Sequence, residues 1–221
     1  MTEPRQFRDE PVTQEVQSAN TVFRGWVWNI ESETFDYGEG TLTREFVDHT
    51  GAVAILALDE DDRALFVQQY RHPARTRDWE LPAGLLDAPG ESALAAAKRE
   101  LAEEADLAAA RWDLLLDFWT SPGGSSESIR IYLARELTSL APFERTAEEA
   151  DIVIAWVSLD EALEAVMRGD LHNPAALQAI FAATEARRRG WSTLRPADTE
   201  WDTRPTGPRV LPKALADGGH K

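Results

Sequence analysis

Residues 91–105, Glu-Ser-Ala-Leu-Ala-Ala-Ala-Lys-Arg-Glu-Leu-Ala-Glu-Glu-Ala, hold neither glycine nor proline and consist of strong helix formers. A helix here sets Glu100, Glu103 and Glu104 on adjacent parts of one face, three and four residues apart. Like charges at that spacing repel by about 0.2–0.5 kcal/mol per pair. Either the face is solvated, with Arg99 and Glu103 as an ordinary i,i+4 pair, or a divalent cation reverses the sign of the interaction. Hard cations such as Mg²⁺ take carboxylate oxygens. The loop before the helix, Leu81-Pro82-Ala83-Gly84-Leu85-Leu86-Asp87, can add a backbone carbonyl. Glu91 stands two turns before Arg99. It meets the guanidinium only if the helix begins just after Glu91 and the loop folds back.

The rest of the chain limits what such a helix can serve. A length of 221 residues suits one domain plus a small accessory piece, and 43% hydrophobic residues suffice for a core. A net charge of −16 disfavours nucleic acid and anionic membranes as partners. A phosphorylated substrate would therefore need local cations. The absence of cysteine excludes disulfides and thiolate chemistry and points to a reducing, cytoplasmic setting. No apolar run reaches the ~18 residues of a membrane span. The four histidines, His49, His72, His172 and His220, have no metal-ligand spacing.

Along the chain, residues 1–20 read as a loose polar segment. Thr21–Phe35 reads as a strand with Val22, Arg24, Trp26, Trp28 and Ile30 on one face. Trp26 and Trp28 then serve core or dimer packing, or stack on a base. A hairpin at residues 36–40 returns through Thr41–His49. Further strands are expected at Gly51–Leu58, Ala64–Tyr70, around Trp79, and at Arg111–Trp119, Ser128–Glu136 and Ile152–Val157. Ser158-x-x-Glu161 is a capping box opening one helix, and Asn173-Pro174 opens another. The tail from Arg195 reads as a flexible or docking arm. The expected domains are 21–50 as an N-terminal sheet, 51–194 as the catalytic domain, and flexible ends at 1–20 and 195–221.

Gly84-x6-Glu91-x7-Arg99-Glu100-Leu101-x-Glu103-Glu104-x-Asp106-Leu107 resembles the Nudix box, G-x5-E-x7-R-E-U-x-E-E-x-G-U with U aliphatic. Two departures stand out: one extra residue in the first gap, and Asp106 in place of the closing glycine. Around the box, Thr43-Arg44-Glu45, Gln69-Tyr70-Arg71-His72, Trp79-Glu80-Leu81-Pro82-Ala83-Gly84, Pro122 and Glu148-Glu149-Ala150-Asp151 resemble the ADP-ribose pyrophosphatase branch. That branch usually has an aromatic where Gly124 stands.

The resemblance implies an α/β fold: a Nudix α/β/α sandwich with a mixed sheet, plus a small N-terminal antiparallel sheet exchanged in a homodimer. It implies Mg²⁺, with Mn²⁺ as a substitute, held by Glu100, Glu104 and the Ala83 carbonyl. Glu103 contributes or stands behind them, and Glu91 braces Arg99 beside Gly84. The substrate would be a nucleoside diphosphate derivative. Arg71 would meet a phosphate, Glu80 and Trp28 the nucleoside end, and Arg44 and Glu45 the site from a dimer partner. Glu149 is the implied base, with Glu148 and Asp151 as rivals. The implied activity is hydrolysis of ADP-ribose to AMP and ribose 5-phosphate. The alternatives are hydrolysis of another nucleoside diphosphate sugar, or a non-catalytic domain that senses such a ligand.

Overall fold

The computed structural model describes residues 7–142 and 152–201. The chain divides between Asp48 and His49 into two compact units.

The first unit carries an antiparallel meander of β1 (Val16–Arg24), β2 (Asn29–Tyr37) and β3 (Gly40–Asp48). β1 begins five residues inside the segment expected to be loose. The single strand expected over Thr21–Phe35 is instead two strands, joined through Gly25–Trp28. Gly25 explains the break: a Cβ there would lie 2.0 Å from the Trp28 carbonyl oxygen, so only glycine admits the tight turn. Trp26 and Trp28 thus sit in a turn and do not alternate along one strand. The hairpin between β2 and β3 pairs Tyr37 with Gly40, and Gly38 takes φ +63°.

The second unit is a layered α/β structure. β4 (Ala52–Ala57), β7 (Ala83–Leu85), β8 (Leu107–Trp119), β9 (Ser128–Ser139) and the short β11 (Arg195–Pro196) form a mixed sheet in the order β11-β8-β9-β4-β7. Only β4 and β9 run parallel. A second, antiparallel sheet has the order β10-β5-β6, from β10 (Val153–Ser158), β5 (Arg63–Arg71) and β6 (Thr76–Glu80).

Every residue of β4 is buried, as its apolar run requires, because its two faces serve two cores. Val53, Ile55 and Ala57 pack with Leu101, Ala96 and Ala97 of α1 (Ala93–Ala105). Ala54 and Leu56 pack with Leu159, Ala162, Ala176, Ala179 and Ile180 of α2 (Leu159–Arg168) and α3 (Pro174–Arg188). β5 alternates likewise, with Leu65 and Val67 in the first core and Ala64 and Phe66 in the second.

The helix ends follow their local chemistry. Ser92, Ser158 and Asn173 cap α1, α2 and α3 by accepting the N–H groups of Ala95, Glu161 and Ala176. α1 closes on Asp106 in the left-handed region (φ 54°, ψ 38°), the conformation that makes glycine usual there. β8 starts at the next residue, four residues before the expected Arg111.

The start of the tail is ordered, contrary to its composition. Arg195 and Pro196 pair with Leu114 and Asp113. Arg130 donates to the carbonyls of Thr199 (2.7 Å) and Glu200 (3.2 Å), and its guanidinium lies 4.6 Å from the Trp201 ring centroid. These partners are too distant in sequence to be read from proline and glycine content.

Candidate active site

The site grows from the junction of β7 and α1. Ser92 starts the helix one residue after Glu91, so the preceding loop folds back and Glu91 reaches Arg99. Arg99 Nε and Nη2 donate to the two Glu91 oxygens at 3.1 Å each. Nη1 donates to Glu100 at 2.7 Å and to Glu103 at 3.2 Å. Hydrogen bonding to Glu91, reinforced by the charge of Glu100, raises the Arg99 pKa further. One fixed cation therefore organises three carboxylates.

Glu100 and Glu104 both lie against the β7 backbone. A Cβ on Gly84 would stand 1.9 Å from Glu100 Oε1, so the bare glycine is what lets that carboxylate lie against the strand. Glu104 is buried and accepts the Ala83 N–H at 3.1 Å. The two side chains thus meet two consecutive residues of β7, the residues to which the box glycine and the carbonyl ligand had been assigned. This donor set suits a hard divalent ion: several carboxylates at a backbone edge. Among the described residues no group of three or more acidic or histidine side chains is placed to hold a metal ion. Arg99 holds Glu100 and Glu103 toward itself, and Glu104 points to the Ala83 amide.

Arg71 and Glu80, assigned separately to a phosphate and to the nucleoside end, hold each other. Arg71 Nε and Nη2 each lie 2.6 Å from a Glu80 oxygen. Glu80 is buried, and half-exposed Arg71 presents a guanidinium fixed along one edge. Arg44 and Glu45 lie on β3, opposite Glu33 and Ser32, with Arg44 Nη1 donating to the Thr43 carbonyl at 2.9 Å. Trp28 is exposed in the Gly25–Trp28 turn. Glu148, Glu149 and Asp151 lie outside the described residues.

A cavity of about 330 Å³ opens at the opposite end of β4, lined by Leu58, Asp59, Glu60, Arg111, Arg135 and Glu136. Both its arginines bond Asp113, at 3.2 Å and 2.6 Å. With three further acids in its wall it is a poor host for a diphosphate.

A family model described as "NUDIX domain" matches residues 48–177. The chain belongs to the Nudix family. An "ADP-ribose pyrophosphatase" of Mycobacterium tuberculosis is 42% identical over 193 residues, 87% of this chain and 93% of that one. A "Methanol dehydrogenase activator" of Bacillus methanolicus is 31% identical over 160 residues, 72% of this chain and 86% of that one. The solved "Crystal structure of ADP compounds hydrolase" has a TM-score of 0.68 at 21% identity, covering 83% of this chain and 99% of that one, and so shares the Nudix fold. No described helix is long and apolar enough to cross a membrane.

Proposed function

We propose that this Nudix protein hydrolyses the pyrophosphate bond of ADP-ribose, giving AMP and ribose 5-phosphate. The observation that carries the reading is the convergence of Glu100 and Glu104 on the Ala83–Gly84 backbone, beside an arginine outnumbered by its acids. The similarity to a mycobacterial protein of that name, over most of both chains, supports the choice of substrate.

Glu100, Glu104 and the Ala83 carbonyl would hold Mg²⁺, or Mn²⁺ in its place, with Glu103 adjoining. A bound divalent ion would neutralise diphosphate charge and acidify a coordinated water. The chain's own residues do the remainder. Glu91 fixes Arg99, and Arg99 fixes the acidic cluster. Glu80 orients Arg71, which donates to a phosphate. Glu149 takes the proton from water, with Glu148 and Asp151 as the other carboxylates of that segment. Trp28 serves the nucleoside end, and Arg44 and Glu45 join the site from a second copy, in a homodimer. The cysteine-free chain works in the cytoplasm.

Turnover assays with Mg²⁺ on ADP-ribose, ADP-glucose and UDP-glucose test the reading. Preferred release of AMP from ADP-ribose is expected. Preference for either sugar nucleotide would shift the substrate class, and binding without turnover would make the chain a ligand sensor.

A further inference from the structure

His49 and Glu127 are 78 residues apart and joined in space. His49 is 4% exposed. Its Nδ1 accepts the Gly51 N–H at 3.0 Å, and its Nε2 lies 3.2 Å from Glu127 Oε1. A ring nitrogen that accepts an N–H carries no proton, so the proton sits on Nε2 and is donated to Glu127. One neutral tautomer satisfies both contacts. Burial pushes the His49 pKa down, against the opposing pull of the Glu127 charge, which agrees with a neutral ring.

Glu127 closes a loop. Its other oxygen accepts the Thr120 hydroxyl at 2.6 Å, and its carbonyl accepts the Thr120 N–H at 3.3 Å. The backbone N–H of His49 donates to Ser126 Oγ at 2.8 Å. Between these tethers runs the exposed turn Ser121-Pro122-Gly123-Gly124. On the other side of the imidazole, the Gly51 carbonyl accepts the Leu86 N–H at 3.0 Å, two residues beyond Gly84. His49 thus links the 120–127 loop to the strand edge on which Glu100 and Glu104 converge.

We propose that His49 is a positioning residue: its Nε2–H bond to Glu127 holds the 120–127 loop at the rim of the diphosphate site and thereby sets substrate affinity. This rests on the ADP-ribose hydrolase reading. The effect on substrate passes through Glu127 and the loop, not through contact with the imidazole.

Two variants of the full chain separate the imidazole's two bonds. His49→Gln places an amide N–H where Nε2 stands and keeps the donor to Glu127. His49→Asn keeps an acceptor for Gly51 but cannot reach Glu127. With ADP-ribose and Mg²⁺, His49→Asn should raise KM by roughly tenfold, with kcat changed by less than about twofold. His49→Gln should keep a KM near wild type. ¹⁵N NMR of the wild-type chain at pH 7 should show one protonated and one bare nitrogen in the His49 ring. An unchanged KM in His49→Asn overturns the proposal. So does a loss of kcat and thermal stability in step in both variants, and so does an imidazolium signal. Wild-type protein inert toward every substrate tested would instead remove the diphosphate reading, and this proposal with it.

Discussion

Two arginine nodes behave oppositely: Arg99 on helix α1, which packs on the mixed sheet, and Arg130 on β9 of that sheet. Gly84 pairs with Val53, Val53 with Arg130, and Arg130 with Asp117, so one row of residues runs from the acidic cluster to the tail contact. Two strand spacings, about 10 Å, separate Gly84 from Arg130 along this row. Arg130 is 3% exposed, and its donors are matched: Asp117 at 2.7 Å and 3.1 Å, two carbonyls, and the Trp201 ring. Arg99 is 35% exposed and faces Glu91, Glu100 and Glu103, with Glu104 one residue further. A balanced buried node holds structure. An acid-rich, half-open one offers carboxylate oxygens that suit a cation.

The sharpest way to break this contrast is at Glu104. Glu104→Gln keeps the shape and removes the charge, so kcat should fall by at least about a hundredfold. Circular dichroism should meanwhile show an intact fold. Wild-type turnover in this variant would make the acidic face mere surface.

Arg130→Met should do the reverse. It leaves Asp117, only 15% exposed, without its main partner. Stability should drop by about 2–4 kcal/mol, lowering Tm by roughly 5–15 °C, while kcat at 25 °C stays within about twofold. A loss of activity without a loss of Tm would place Arg130 in the site instead.

Gly84→Ala forces Glu100 off β7. Calorimetric titration with Mg²⁺ should register a 10- to 100-fold weaker binding, roughly the cost of disturbing a ligand's support. Unchanged affinity would mean that Glu100 binds from elsewhere.

The smallest effect concerns pH. His49, depressed by burial, stays neutral in the folded chain, while the unfolded chain takes up a proton below the ordinary value of 6.5. Its contribution to stability is therefore complete above pH 6.5. It is lost as pH falls from there to the folded pKa. The Tm difference between wild type and His49→Asn should shrink across that window. A difference independent of pH would remove this assignment.

The contrast also explains what could be read before folding. Glu91, Arg99, Glu100, Glu103 and Glu104 interact within one helix and its lead-in, where spacing dictates geometry, and the observed hydrogen bonds follow the box. The apolar run of β4 and the caps at Ser158 and Asn173 were legible for the same local reason. Arg130 was not: its partners stand 13, 69 and 70 residues away. The sequence around His49 shows only that it lacks metal-ligand spacing, and no motif announces its partner Glu127. The Arg71–Glu80 pair was not legible either: in the β5–β6 ladder Arg71 stands opposite Thr76 and Glu80 opposite Val67, so the two side chains reach each other along the strands and not across a facing position. At Trp26 and Trp28 the alternating pattern competes with Gly25, and a glycine inside a strand pattern signals the bend that the structure has.

The Arg130 node has a consequence for the order in which the chain matures. Its two carbonyl partners are made about seventy residues after it. At about 5–20 residues per second, that is a wait of roughly 4–14 s. Through this interval β8 and β9 can pair and Asp117 can hold the guanidinium, but two of its donors have no protein acceptor until Thr199 and Glu200 arrive.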